Sequence, residues 1–218
     1  MSNYNSGYAD SSMSVSVDKV LRNTYLLLSM TLLFSAFVSY MTMGISPIAG
    51  LICMLVAFGV LFLLKATCES AAGIPVMFLF TGLLGAGIAP TINHYAVNVG
   101  PDVIYQALGA TAFIFFTLSA YVLTTKKDFS FMGGFLFIGL LVMVVAGIAN
   151  IFFAIPALSL ALSAAGVLIF SGYILYDTSR IIHGGETNYI MAAAGLYLNI
   201  LNLFLDLLHL LAAFSGDD

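Results

Sequence analysis

Four polar side chains, Asn199, Asn202, Asp206 and His209, follow one another at intervals of three, four and three near the C-terminal end of the chain. At 100° per residue they share one narrow face of a helix, and Asn188 and Gly195 extend that line toward its start. Such a face can handle protons and cations: it has a carboxylate, two amides that offer oxygen ligands, and an imidazole that titrates near neutral pH. A second group precedes it. In Asp177-Thr-Ser-Arg180 the acid and the base stand one helical turn apart, close enough to pair as an interfacial ion pair. Asp177, Asn199, Asn202, Asp206, His209 and Arg180 are therefore the candidate pH-sensing or ion-pathway residues. No single pair among them makes a tight cation site.

The motifs of hydrolytic and nucleotide chemistry are missing. His183-Gly-Gly-Glu186 lacks the H-E-x-x-H spacing of a zinc protease, and there is no Walker A lysine, G-x-S-x-G elbow or paired-cysteine motif. Tyr176-Asp177 and Asp206 invite comparison with intramembrane aspartyl proteases. The second half of that signature fails, because Leu203-Phe-Leu205 precedes Asp206 where a Gly-x-Gly would be needed. A retinal pump would need a lysine in the last apolar stretch, and none is there. No enzymatic activity, catalytic residue, cofactor, bound metal or nucleic-acid partner is expected.

The elements that must position these residues are membrane spans. The chain is 61% hydrophobic and only 7% charged, against roughly 25% charged in soluble proteins, so a bilayer is its solvent. A span needs about 20 mostly apolar residues. Seven such runs occur, near 24–43, 47–64, 74–93, 103–124, 132–154, 157–176 and 190–211. A carboxylate facing lipid costs roughly 2.5–3.5 kcal/mol on the insertion scale, so the polar face of the seventh span must turn toward other helices. That predicts an all-α polytopic fold with the seventh helix central. Close helix approach is expected at Gly82, Gly85 and Gly87, at Gly139 and Gly147, at Ser163 to Gly166 and at Ala192 to Gly195. Pro90 is expected to kink or end the third helix.

Lys19, Arg22, Lys65, Lys126, Lys127 and Arg180 all fall on one side of this topology. By the positive-inside rule that side is cytoplasmic, which leaves the C-terminus on the opposite, non-cytoplasmic side of the membrane. Residues 1–22 form a cytoplasmic tail, 23–214 the seven-helix domain and 215–218 a short tail on the far side. Residues 1–18 are too poor in apolar side chains to fold alone and are expected to be flexible. With no short apolar region before a small-residue cleavage site, the first span reads as a retained anchor. Cys53 and Cys68 are not expected to pair in a reducing setting.

Three segments are more specific: Lys19-Val-Leu-Arg-Asn-Thr-Tyr25, Ala120-Tyr-Val-Leu-Thr-Thr125 with the basic pair that follows, and His183-Gly-Gly-Glu-Thr-Asn-Tyr189. Together they closely resemble the Bax inhibitor-1 family, over nearly the whole chain from Lys19 onward. The resemblance implies seven transmembrane helices with the seventh in the middle. It also implies two functions. In one bacterial branch the members are membrane partners of FtsH, an ATP-driven AAA zinc protease, and modulate it. In another branch they act as pH-sensitive calcium leak channels, in which one aspartate at the end of the sixth helix and one within the seventh share a proton. Asp177 matches the first of these through its Tyr-Asp-Thr context. The second falls on Asn199, in Leu196-Tyr-Leu-Asn199, so the acid pair is broken here. Asp206, about 10.5 Å farther along the helix, would be a displaced partner. Protease modulation is accordingly the leading expectation, with Ca2+ or H+ passage as the alternative.

Overall fold

Three helices begin on a proline. Pro47, Pro101 and Pro156 occupy the first turns of the helices Pro47–Thr67, Pro101–Thr125 and Pro156–Ile182, where the missing N–H costs nothing and the fixed φ already suits a helix. Ser46 adds a side-chain cap to the first of these, its Oγ accepting from the Ala49 N–H at 3.2 Å. The computed structural model describes residues 4–215, with side chains from position 17 onward. Within it the helices are α1 (Tyr4–Met41), α2 (Pro47–Thr67), α3 (Gly73–Asn98), α4 (Pro101–Thr125), α5 (Gly133–Phe153), α6 (Pro156–Ile182) and α7 (Tyr189–Ser215), with a 3-10 turn at Ser130–Met132. All seven are long and apolar enough to cross a membrane.

Two sequence expectations need adjusting at the ends. Helix α1 starts at Tyr4, ahead of the apolar stretch, where the polar tail was expected to have no structure of its own. A chain already helical from Lys19 onward extends that helix backward without a new nucleus. At the other terminus Ser215 closes α7, and the rest of the short tail lies outside the described residues.

Helix α7 is central. It packs against α1, α3, α4 and α6, while α2 lies mainly on α3 and α5 on α6. Leu196, Tyr197, Leu203 and Leu208 of α7 are almost wholly enclosed. The two peripheral helices instead present Phe62, Phe135, Phe137 and Ile151 outward, a surface that suits lipid and no aqueous phase.

Small residues set the closest approaches, as expected where lipid removes the hydrophobic drive between helices. A methyl at Gly85 would meet the Ser35 hydroxyl at 2.7 Å, and one at Gly139 would meet Ile169 at 3.0 Å. Gly147 is an exception, with nothing within 4 Å of where its Cβ would be, because it borders a cavity. Pro90 does not end α3, which continues unbroken to Asn98. The ring rests on Gly50 of α2, 2.8 Å from the position of a Cβ there, so the missing side chain lets α2 approach closely over the proline.

Successive helices run antiparallel, so the basic residues gather at one end of the bundle. Lys65 and Arg180 lie in the last turns of α2 and α6, Lys126 and Lys127 follow α4, and Lys19 and Arg22 precede the apolar part of α1. Below, this is the basic end; the opposite end carries Asp102 in the first turn of α4.

Candidate functional site

The connection between α6 and α7 fixes how the two polar helices face each other. Gly184 has φ of +73°, a left-handed turn that favours glycine. The Gly185 and Glu186 N–H groups donate back to the Arg180 carbonyl at 2.8 and 3.2 Å. Asn188 caps α7, its Oδ1 accepting from the Ile190 and Met191 N–H groups at 3.0 and 3.1 Å. Its amide also donates to the Cys68 carbonyl at 3.0 Å, tying α7 to the α2–α3 turn. Asn188 thus serves as a cap, although the periodicity placed it on the polar line. The His-Gly-Gly-Glu-Thr-Asn-Tyr segment is a clasp that sets the register of α7.

Arg180 belongs to this clasp too. Its Nη2 donates to the Gly185 carbonyl at 3.0 Å, lies 3.7 Å from Glu186 Oε2, and the guanidinium stands over the Tyr176 ring at 5.6 Å. The expected Asp177–Arg180 ion pair is not formed. An arginine one turn from the helix end reaches forward into the loop, where it finds a carboxylate and a carbonyl in the wetter interface.

Asp177 faces α7. Asn199 Nδ2 donates to Asp177 Oδ2 at 2.7 Å, and Asn199 is only 7% exposed. Gly195, one turn before Asn199, makes room for this contact: a Cβ there would sit 3.2 Å from Asp177 Oδ2. Asp177 and Asn199 therefore meet in this fold, as carboxylate and amide. An amide donates to a carboxylate but takes up no proton.

Asp206 lies elsewhere. It turns toward α6, where its Oδ2 comes to rest on Gly166, with Ser163 beside it. That oxygen is buried and without a hydrogen-bond partner. The arrangement mirrors the first one: the α6 acid lies on a glycine of α7, and the α7 acid lies on a glycine of α6. Both spacings, 166 to 177 and 195 to 206, are eleven residues, so two carboxylate levels stand about 16 Å apart along the bundle. Asp177 occupies the level near the basic end and Asp206 the level near the other. Asp206 is thus no substitute partner for Asp177.

The remaining members of the seam disperse. His209 does not bind Asp206; its Nδ1 lies 2.8 Å from the Tyr95 hydroxyl of α3. Asn202 turns back on its own helix, donating to the Leu198 carbonyl at 2.8 Å. His209 and Ser163 both line a cavity of about 770 Å3 between α5, α6 and the far end of α7, with Asn150 and Ser159 on its wall. Asn150 shapes that wall by donating to Ser159 Oγ at 2.8 Å and accepting from the Ile155 N–H at 3.0 Å.

Several contributors escaped the sequence reading. Gly166 and Ser163 stood out only as small packing residues, since nothing local shows that a carboxylate about forty positions later in the sequence will press on them. Ser179 anchors the α4–α5 connection to α6, accepting from the Phe129 N–H at 2.9 Å. Asp128 in that connection accepts from the Ser130 N–H at 2.8 Å. Those contacts with Ser130, helped by nearby His183, hold its carboxyl below the usual carboxylate range. Tyr197 joins three helices: its hydroxyl is 2.6 Å from Ser35 Oγ and donates to the Thr81 carbonyl at 3.3 Å.

Chemically, this site offers one carboxylate–amide contact and one carboxylate set against a glycine with Ser163 beside it. Among the described residues, no group of three or more His, Cys, Asp or Glu side chains converges as metal ligands. Intramembrane acids in this state belong to proton or cation handling, or to helix association through polar contacts.

Comparison with known proteins gives the same architecture a lineage. Residues 17–216 match the family model described as Inhibitor of apoptosis-promoting Bax1. The Escherichia coli K12 protein named Modulator of FtsH protease YccA is 50% identical over 210 residues, covering 95% of this chain and 96% of the relative. A Vibrio cholerae membrane protein is 50% identical over 209 residues, covering 94% of both chains. A Pseudomonas aeruginosa protein is 46% identical over 205 residues, covering 93% of this chain and 92% of its own. The match spans every helix and both carboxylate levels, and the chain is a polytopic membrane protein of the Bax inhibitor-1 family.

Proposed function

We propose that this protein resides in a bacterial inner membrane as a partner of an FtsH-type AAA protease and moderates that protease by competition. The observation that carries this reading is the 50% identity over 95% of the chain to a protein named for modulating FtsH. The physics is that of a poor substrate. A machine that extracts membrane proteins must unpack α7 from the four helices around it, and an occupied machine processes other clients more slowly. The basic end faces the cytoplasm by the positive-inside rule, which puts the N-terminal segment within reach of a cytoplasmic motor. Residues 1–18 are rich in Ser and Asn, residue types of weak intrinsic helix propensity, so they serve as the grip.

The test is the half-life of a short-lived membrane substrate of the protease, in cells making the full chain or a chain lacking residues 2–18. The truncated form is expected to co-purify with the protease and to prolong that half-life more than the full chain does. If neither form binds or changes the half-life, the reading fails.

One observation favours a second reading. The Asp177–Asn199 contact joins the two positions whose acids gate the leak-channel branch, which points to cation passage along α6 and α7. With an amide at Asn199 the gate has lost half its proton chemistry, so passage would respond weakly to pH. Cation flux into liposomes holding the purified protein decides between a leak and none.

A further inference from the structure

Helices α1 and α4 both pack on α7 but barely on each other. Between them runs a cleft of about 410 Å3, floored by α3 and α7. The Tyr25 and Phe115 rings, 5.9 Å apart, close it toward the basic end. From there it extends along α1 to Tyr40, reaching Met43 just past the helix end, and along α4 to Ile104, so its mouth lies at the other end of the bundle. Fifteen residues of α1 separate Tyr25 from Tyr40, about 22 Å of helix. The floor is enclosed: Ile88 is 5% exposed and Tyr197 1%. Leu33 and Phe116 stand outward at the rim, toward lipid.

The lining is almost entirely apolar, and most of its hydroxyls are already engaged. Ser29 and Thr111 bond to carbonyls one turn back in their own helices, and Ser35 pairs with Tyr197. Besides the exposed Tyr40 at the rim, two remain that are buried and unpartnered, Tyr25 at the blind end and Ser39 near the mouth. Ser39 is only 4% exposed, lines the cleft, and its Oγ has no partner. It sits two residues before the end of α1, at the depth where hydrocarbon gives way to polar lipid atoms.

We propose that this cleft is a binding site for one acyl chain of a diacyl phospholipid, entering from the leaflet opposite the basic end, with Ser39 donating to the chain's ester carbonyl. Width selects this occupant. Spread over the ~22 Å from Tyr25 to Tyr40, 410 Å3 corresponds to a bore of about 2.4 Å radius. A helix of a partner protein needs about 5–6 Å and does not fit without separating α1 from α4. A hydrocarbon chain fits, covers the apolar floor and leaves the ester where Ser39 waits. Tyr40, exposed beside the mouth, has the aromatic, amphipathic character that settles at the headgroup level. Occupancy would brace α1 and α4 against α7 around the Ser35–Tyr197 contact.

The full chain, purified in a mild nonionic detergent, is tested for retained phospholipid by native mass spectrometry and by extraction. About one phospholipid per chain is expected. Ala36→Trp and Ala112→Trp, which put a bulky ring into the cleft from its two walls, are expected to lower retention at least fivefold. Ser39→Ala should weaken it about fivefold, the worth of one hydrogen bond. Val56→Trp, on the outward face of α2, should change nothing. Equal retention in all of these variants, or none in the parent chain, overturns the assignment. Should the tryptophan variants fail to fold, a phospholipid with a photoreactive acyl chain is applied to the parent chain in liposomes. Adducts concentrated on the facing walls of α1 and α4 support the site. Adducts spread evenly over α2 and α5, or crosslinks in native membranes from the cleft to a second polypeptide in place of lipid, overturn it.

Discussion

The reciprocal acid-on-glycine packing makes a prediction in which the two levels answer differently to the same mutation. A methyl at Gly166 would overlap Asp206 Oδ2 and come within 2.6 Å of its carboxyl carbon. Overpacking of this kind costs about 1–3 kcal/mol, while replacing a helical glycine by alanine returns about 0.5–1 kcal/mol. Met143 Cε, 3.0 Å away, is the tip of a flexible chain and can move aside. Gly166→Ala is therefore expected to lose about 1–2 kcal/mol. At Gly195 the methyl would stand 3.2 Å from Asp177 Oδ2, a contact relieved by a shift of a few tenths of an ångström, so Gly195→Ala should fall within about 0.5 kcal/mol of the parent chain once the helix gain is included. The decisive assay is a double-mutant cycle on unfolding free energy in lipid bicelles. Asp206→Ala removes the group that the new methyl strikes, and a coupling of about 1.5 kcal/mol between the two sites is expected. If Gly166→Ala costs the same with and without the Asp206 carboxylate, that carboxylate does not rest on Gly166, and the two-level arrangement is refuted.

Other outcomes follow from the same geometry. Asn199→Asp would set two carboxylates at the 2.7 Å contact now made by an amide; since both cannot ionise cheaply, any cation flux in liposomes should become steeply pH-dependent, and a profile as flat as the parent's would count against the leak reading. Asn188→Ala removes a cap and the bond to the Cys68 carbonyl and should cost about 1–2 kcal/mol, measured by the same bicelle unfolding; no loss would mean that α7 needs no clasp. For Asp128 the folded-state carboxyl is held below its ordinary range, so its contribution to stability is present above the unfolded pKa and disappears as pH falls through the lowered folded value. The stability gap between the parent and Asp128→Asn should accordingly be present at neutral pH and vanish in strong acid, and a pH-independent gap would contradict it.

The titratable residues illustrate where sequence spacing stops being informative. Arg180 is one turn from Asp177, yet it serves the loop, because Glu186 and the Gly185 carbonyl lie in its path. His209 is one turn from Asp206, yet it bonds Tyr95 from α3, a residue 114 positions away. A helical neighbour at i+3 is available to any side chain, but a partner from another helix wins when it brings better geometry in the same dry environment. Asn202, with no such partner, falls back on its own helix.

Composition and periodicity alone determined that this chain crosses a membrane seven times, that its basic residues collect at one end and that the last helix is enclosed. These follow from one-dimensional facts: the length of apolar runs, the placement of the Lys and Arg residues between them, and the cost of showing Asn199 and Asp206 to lipid. Tertiary structure alone decided which groups meet. The rotation and depth of α7 against α6 place Asn199 on Asp177 and send Asp206 to Gly166, and the spread of α1 from α4 opens a lipid-sized cleft. Those outcomes depend on the relative register of helices far apart in the chain. That register is set by the sum of many contacts such as Gly85 on Ser35 and Asn188 on Cys68, which no single stretch of sequence contains.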